Sequence, residues 1–347
     1  MPDKQVRRSR KKPLLIDLAL QGGGAHGAFT WGVLDRLLEE PRLQIEGISG
    51  TSAGSMNAAA LASGYVHGGP EGARKALAQL WQAVSDTALF SPFQRNPLDV
   101  IMGRWTLDRS PLVLAFDIAS RLFSPYDLNP TAFNPLHSVL LRCIDFNVLH
   151  KAPIKLFITA TNVRTGYGRI FRNAEITPEV LLASACLPML FQAVEIGGEA
   201  YWDGGYSGNP TITPLVRECE SSDTILVQIN PVERQGTPRS ANEIFNRLNE
   251  IAFNATLMKE LRMIALLKKV SNQENDEGNR WASMRIHRIA SDDMTELSYT
   301  SKLNPEWAFL RMLFERGRHS AESFLYHHGK DLNQRSSFDL DYLLDHI

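Results

Sequence analysis

After a basic leader, the chain opens on the apolar run Leu14–Leu20, which has the length of a strand and stops at Gln21 and three glycines. From Ala28 to Glu39 the apolar positions Phe29, Val33, Leu34, Leu37 and Leu38 recur at helical spacing, and Pro41 closes the helix. Leu43–Ile48 reads as a second strand, and Gly50-Thr51-Ser52-Ala53-Gly54 leads from it into a small-residue helix running to about Ser63. Two strand–loop–helix units therefore stand in series. Further buried strands are predicted over Ile154–Thr161 and Thr224–Ile229, with a hairpin of Val194–Ile196 and Ala200–Trp202 around Gly197-Gly198. The pattern predicts an α/β fold whose central sheet is mainly parallel and flanked by helices.

Between about Asp86 and Pro135 the pattern changes to prolines, aromatics and turn residues around one short helix, Leu112–Phe123, with Ser110 as N-cap and Pro111 behind it. That helix is apolar almost all round. Together with Phe90, Phe93 and Trp105 it carries more apolar area than a surface connection needs, so the segment is read as an insertion on the sheet. Helices with core-packing faces are predicted over Ser240–Val270 and Pro305–Tyr326, separated by the polar run Ser271–Arg280. The expected organisation is a leader over 1–13 and one domain over 14–347, with the insertion at about 86–135 and C-terminal helices from about 240.

Composition narrows the class. Hydrophobic residues at 44% and charged residues at 22% are globular values. A net charge of -1, from 37 basic and 38 acidic side chains, supplies no field to draw nucleic acid, so no nucleic-acid partner is expected. Three cysteines without a C-x-x-C pair make a poor disulfide framework and suit a reducing cytosol, so a cytoplasmic location is expected. No metal-ligand spacing appears, and neither a metal nor an organic cofactor is implied. The leader, with Lys4, Arg7, Arg8, Arg10, Lys11 and Lys12, lacks the apolar region of a secretory signal. It reads as a solubilising tail or as a basic patch for anionic headgroups, each basic residue contributing ~1 kcal/mol at a membrane surface. No stretch approaches the ~18 apolar residues of a membrane span.

The candidate chemistry begins at Ser52. Gly50-Thr51-Ser52-Ala53-Gly54 matches G-x-S-x-G, the nucleophile elbow, in which a serine occupies a sharp strand-to-helix turn. Gly50 and Gly54 flank it where a Cβ would collide, and Ala53 keeps the helix start uncrowded. The plainer reading of the same string is a helix cap. Gly22, Gly23, Gly24, Ala25, His26 and Gly27 form a loop with two readings. As G-x-G-x-x-G it fits a dinucleotide fold of an oxidoreductase, although the second strand ends without the acid that would hold a ribose. As an oxyanion hole its backbone N–H groups serve the serine. A catalytically silent lipid-binding module is a further alternative.

A serine nucleophile needs a base. Among the nine histidines, His287, His319, His327, His328 and His346 lie downstream in stretches that read as solvated surface, and His26 reads as a support of its own loop. Asp203 follows a strand end in the turn Asp203-Gly204-Gly205, where the plainer reading is an Asx turn. Its functional reading is an aspartate that takes the serine proton directly, with partial desolvation raising a pKa that is ordinarily ~3.9.

The GGGAHG loop, the GTSAG elbow and the later DGG, together with Ala183-Ser184-Ala185-Cys186-Leu187-Pro188 and Asn209-Pro210, resemble the patatin-like phospholipases over about Leu14 to Pro231. The resemblance implies a three-layer fold and a serine–aspartate dyad without histidine, with Ser52 as nucleophile, Asp203 as its partner and Gly22 through Gly27 as oxyanion loop. It implies a lipid or other long-chain acyl ester as substrate. Two positions depart from the pattern: His26, where arginine is frequent, and Gly205, where alanine is frequent. A lipid hydrolase must also seat an acyl chain, and Leu112, Leu114 and Phe116 of the insertion are the expected acyl pocket.

Overall fold

The computed structural model describes residues 13–88, 95–108, 110–270 and 276–345. Eight strands form one sheet: β1 (Leu14–Leu20), β2 (Leu43–Thr51), β3 (Lys155–Asn162), β4 (Gly168–Arg172), β5 (Val194–Ile196), β6 (Glu199–Asp203), β7 (Asp223–Val227) and β8 (Arg285–Ile289). The order is β5-β6-β3-β2-β1-β7-β8, with β4 also paired to β3. From β3 to β8 every pairing along this order is parallel, whereas β4, β5 and β6 run antiparallel at one side. The mainly parallel sheet is thus present with an antiparallel flank.

Parallel strands covered on both faces carry continuous apolar runs. In β1, Ile16, Leu18, Ala19 and Leu20 are all wholly buried, Leu18 and Leu20 in one core and Ala19 in the other. The first core packs α1 (Gly27–Leu38), α2 (Ala53–Ala88) and the helix Trp307–His328 against one face of the sheet. The second packs Leu215, Val216, Leu257, Leu261 and Ile264 from two further helices on the opposite face. Helix, sheet and helix give three layers. The helices of the first core meet backbone to backbone, since a Cβ on Gly32 would collide with the Phe314 carbonyl and one on Gly317 with the Phe29 carbonyl.

Several elements differ from expectation for local reasons. Helix α2 runs past Ser63 to Ala88, interrupted by non-helical backbone at Gly68 and Gly69 ahead of Pro70. The insertion holds the helices Pro97–Ile101, Pro111–Leu122 and Pro125–Leu128 and contributes no strand among its described residues. Ser110 stands at the N-cap of Pro111–Leu122, but its side chain makes no capping bond. The expected core stripe of the helix Ala241–Val270 divides: Leu257, Leu261 and Ile264 are buried, while Ile244, Leu248 and Ile251 are exposed. The basic leader, Phe90, Phe93 and His346 lie outside the described residues. Among the described residues no helix is long and apolar enough to cross a membrane.

Candidate active site

Ser52, Asp203 and the glycine loop converge at the C-terminal ends of β1, β2 and β6, the usual place for ligands in an open α/β sheet. Ser52 joins β2 to α2 with φ +53°, a left-handed conformation that costs a non-glycine residue about 1–3 kcal/mol and needs support from its surroundings. That support is present. The Ser52 N–H donates to Ser184 Oγ (2.9 Å), and the Ser184 hydroxyl donates to the Thr159 carbonyl (2.7 Å). Thr51 Oγ1 donates to the Gly208 carbonyl (2.6 Å), and Ser55 Oγ to the Ser52 carbonyl (2.6 Å). A Cβ on Gly50 would stand 2.7 Å from the Gly54 carbonyl, and one on Gly54 would collide with the Leu20 carbonyl. The turn is tight because its glycines let three backbones meet.

Asp203 ends β6 opposite Ala160 of β3, the neighbour of β2, so strand order brings it to Ser52. Its N–H donates to the Cys186 carbonyl (2.8 Å), its own carbonyl accepts from Thr161 Oγ1 (2.8 Å), and its Oδ1 accepts from the Gly205 N–H (2.7 Å). The Ser52 side chain faces this carboxylate and favours its ionised form. Burial pushes the Asp203 carboxyl up to about 7, against the opposing pull of the Gly205 hydrogen bond, the Ser52 side chain and the Lys302 charge. The nearby Cys186 thiol and the Tyr206 and Tyr299 hydroxyls are pushed up to about 12, by burial first and by the Asp203 charge second. They stay protonated where Asp203 titrates.

The glycine loop lies against the serine, with a Cβ on Gly22 placed 2.7 Å from Ser52 Cβ. Part of its backbone is already committed. The Gly22 N–H donates to Asn209 Oδ1 (2.7 Å), the His26 N–H to the Gly23 carbonyl (3.2 Å), and the Gly27 N–H to the Ala25 and Gly24 carbonyls. Among the described residues the N–H groups of Gly23, Gly24 and Ala25 have no acceptor, and they adjoin the start of α2, where the N–H groups of Ala53 and Gly54 have none either. His26 is buried behind the loop with Nε2 2.7 Å from Ser301 Oγ. Because that hydroxyl donates to the Ser298 carbonyl (2.7 Å), it accepts from the ring, so Nε2 carries the proton. Burial, then the charges of Lys302 and Arg234, hold the imidazole well below its ordinary pKa and therefore neutral at pH 7.

Lys302 carried no signal in the sequence. It is a single lysine about a hundred residues beyond Asp203, yet its Nζ donates to Asn230 Oδ1 (2.7 Å) and lies 5.3 Å from the Tyr299 ring. Burial lowers its pKa to about 8 against the raising influence of Glu250 and Asp203.

The histidines separate into two kinds. His319 and His327 are exposed and His328 is half-buried beside Asp331, as surface residues. His287 corrects the expectation, since it is wholly buried between Asp223 Oδ1 (3.0 Å) and Ser337 Oγ (2.9 Å). Asp223 begins β7, so this pair sits at the end of the sheet away from Ser52, and Arg285 holds the same carboxylate. Burial raises Asp223, but hydrogen bonds from His287 and Arg285 prevail and bring it down to about 2. It pins the C-terminal segment.

Two of the three residues expected to form the acyl pocket stand at the surface. Leu112 and Leu114 are 56% and 55% exposed, because a helix apolar on several sides can bury only one of them; the Phe116 side chain lies outside the described residues. An open groove lined by Ser63, His67, Lys75 and Arg142 begins about 16 Å from Ser52 along α2, at 1.5 Å per residue. Among the described residues the metal-capable group is Asp17, Glu46 and Cys219, toward the other end of the sheet. Glu46 there is already taken by Lys155 Nζ (2.9 Å) and the N–H groups of Glu220 and Ser221. That placement also leaves the glycine loop without a ribose-binding acid on β2, which removes the dinucleotide reading.

No curated protein matches the chain. Among solved structures it is similar to VipD from Legionella pneumophila, at 17% identity and a TM-score of 0.40, over 92% of this chain and 67% of that one. It is also similar to the type III effector ExoU of Pseudomonas aeruginosa, at 17% identity and a TM-score of 0.32, over 90% of this chain and 53% of that one. The chain thus spans about two thirds of the first and half of the second. The family model for patatin-like phospholipase matches residues 18–216, more than half of the chain and all of the elbow, glycine loop and Asp203 turn. The chain belongs to the patatin-like phospholipase family of lipid acyl hydrolases.

Proposed function

We propose that the protein hydrolyses fatty-acyl esters of the phospholipid type, with Ser52 as nucleophile and Asp203 as its base. The observation that carries this reading is that the elbow serine, Ser52 at φ +53°, faces the buried Asp203 carboxylate, which burial raises to about 7. An ordinary carboxylate is too weak a base for this task, and one titrating near the working pH combines ionisation with proton affinity. Ser52 Oγ bonds to the acyl carbon as its proton passes to Asp203. The carbonyl electrons move onto oxygen, which accepts from the free N–H groups of Gly23, Gly24 and Ala25 and from Ala53 at the start of α2. Collapse of the tetrahedral species breaks the ester bond, and the leaving alcohol takes the proton from Asp203. Water, deprotonated by Asp203, then releases the fatty acid and restores Ser52.

The partner is a lipid surface. Leu98, Ile101, Leu112, Leu114, Leu122 and Phe133 of the insertion expose apolar side chains, area that favours contact with acyl chains. Cys143, Cys186 and Cys219 are free, in keeping with a cytoplasmic enzyme peripheral to the membrane. Labelling with a fluorophosphonate tests the chemistry. Wild-type protein is expected to be labelled at Ser52 and to release fatty acid from phospholipid vesicles, and Ser52→Ala to do neither. Unlabelled, inactive wild-type protein overturns the reading.

A further inference from the structure

The family-matching region ends at residue 216, yet the glycine loop is gripped from well beyond it. The short turn Thr300–Leu303 reaches the loop at three points. The Lys302 carbonyl closes over Gly24, where a Cβ would collide with it. Ser301 Oγ accepts from His26 Nε2. Lys302 Nζ donates to Asn230 Oδ1, and the same amide's Nδ2 donates to the Gly22 carbonyl (2.8 Å) and to Gln21 Oε1 (3.1 Å).

We propose that Lys302 is a positioning residue for the oxyanion loop, acting through Asn230 rather than on the substrate; the proposal rests on the serine-hydrolase reading above. An ammonium can only donate, so its contact with Oδ1 fixes which way the Asn230 amide points. With Oδ1 turned to Lys302, Nδ2 must face Gly22 and Gln21. Gln21 Oε1 also accepts the N–H groups of Ile229 (3.0 Å) and Asn230 (2.9 Å), so β1 and β7 are tied together where the loop begins. Reversing the amide would set an NH2 against the ammonium and a carbonyl oxygen against the Gly22 carbonyl. The free N–H groups of Gly23 to Ala25 would lose their aim.

The setting of Lys302 argues against a role in stability alone. Among the described residues no carboxylate lies within 4.0 Å of its Nζ, because Glu250 is engaged by Arg234 (2.6 Å) and Arg247 (3.3 Å). The charged and titratable groups around it are Glu250, Arg234, Asp203, Tyr299 and His26. A buried ammonium without a paired carboxylate is unfavourable for folding, and an apolar chain of the same length would be better tolerated.

The test compares full-length wild type, Lys302→Met, Asn230→Ala and the double variant in hydrolysis of a short soluble ester and in the rate of fluorophosphonate labelling. Each single change is expected to lower kcat about 10²-fold, the scale of a 1 Å misplacement, with KM within a few-fold. The double variant should lose no more than the worse single one, because both act through one amide. Melting of Lys302→Met should be at or above the wild-type temperature. Wild-type kcat in Lys302→Met, or multiplied losses in the double variant, overturns the proposal. If Lys302→Met does not fold, Asn230→Ala carries the test, and wild-type kcat there is equally fatal. A wild-type protein that neither hydrolyses nor labels defeats the parent reading and this inference with it, whereas an active wild type with unaffected variants defeats this inference alone.

Discussion

The Phe253 ring fills the space that a Cβ on Gly205 would need, so the turn after Asp203 admits glycine and nothing larger. The same Cβ would stand 3.0 Å from Asp203 Oδ1. Phe253 belongs to the helix Ala241–Val270 and packs 5.3 Å from the Tyr206 ring. The departure from the alanine frequent in the family is therefore set by a helix outside the family-matching region.

Gly205→Ala is expected to cost about 1–3 kcal/mol of stability, the usual penalty for overpacking, and to lower turnover by displacing the Asp203 carboxylate. Phe253→Leu should relieve both effects in the double variant. Denaturant melting and ester hydrolysis on the single and double variants measure this coupling, and simple addition of the two losses would refute it.

Asp203 should set a rising limb in the pH profile of kcat/KM with its midpoint near 7, because the proposed base is the ionised carboxylate. Ser52→Ala and Asp203→Asn are each expected to abolish hydrolysis, and the double variant to be no worse than either, since the pair acts as one unit. The stability linkage has the opposite direction to the activity. A folded pKa of about 7 against an ordinary 3.8 means that stability is full below about pH 4 and declines up to about pH 7. Asp203→Asn should thus gain stability relative to wild type across that window. Melting curves between pH 4 and 8 give the answer, and a constant difference would show that Asp203 titrates normally.

Asp17 is expected to weaken the fold in a similar way without affecting catalysis. It is wholly buried, and burial first and the Glu46 charge second push it up to about 8. Its contribution is greatest below about pH 4 and declines until about pH 8. The stability of Asp17→Asn relative to wild type should therefore rise through that interval and then level off, while kcat stays within a few-fold. Parallel melting temperatures over the interval would contradict the buried, neutral state.

His287→Ala should destabilise the protein by about 1–3 kcal/mol, the cost of leaving buried polar groups short of partners, because Asp223 and Ser337 lose their common neighbour. Hydrolysis should keep at least about a tenth of its rate, a change of no more than ~1.4 kcal/mol in barrier. Alanine at His319, His327 or His328 should leave both properties nearly unchanged. A loss of about 10³ in kcat from any of these would point to a histidine base.

The pattern of the chain carried β1, α1, β2 and the elbow almost residue for residue, because each is local. A both-face apolar run, three consecutive glycines and G-x-S-x-G constrain backbone within a few residues of themselves. β7 and the β5–β6 hairpin were legible for the same reason. β4 and β8 were not: GRIFR and RIHRI are five residues long and half polar, too short for an alternation to stand out. The hairpin placed Asp203 at a strand end but gave no information on its neighbour across the sheet.

What the sequence determined by itself is the chemistry on offer: a serine in a strained turn, a glycine loop beside it and an aspartate in a glycine turn. The tertiary structure decided which groups meet and in what medium. Ser52 and Asp203 come to the same place because β6 lies antiparallel beside β3, and β3 parallel beside β2, an order that depends on pairings far apart in the chain. Burial then raises the carboxyl, and burial is a property of the whole packing. Packing likewise turned Leu112 and Leu114 outward on a helix with no single apolar face, enclosed His287 in a stretch that looks solvated, and brought Lys302 to Asn230. Local patterns fix backbone because their interactions span a few residues, whereas a site is made of contacts that only the closed fold can supply.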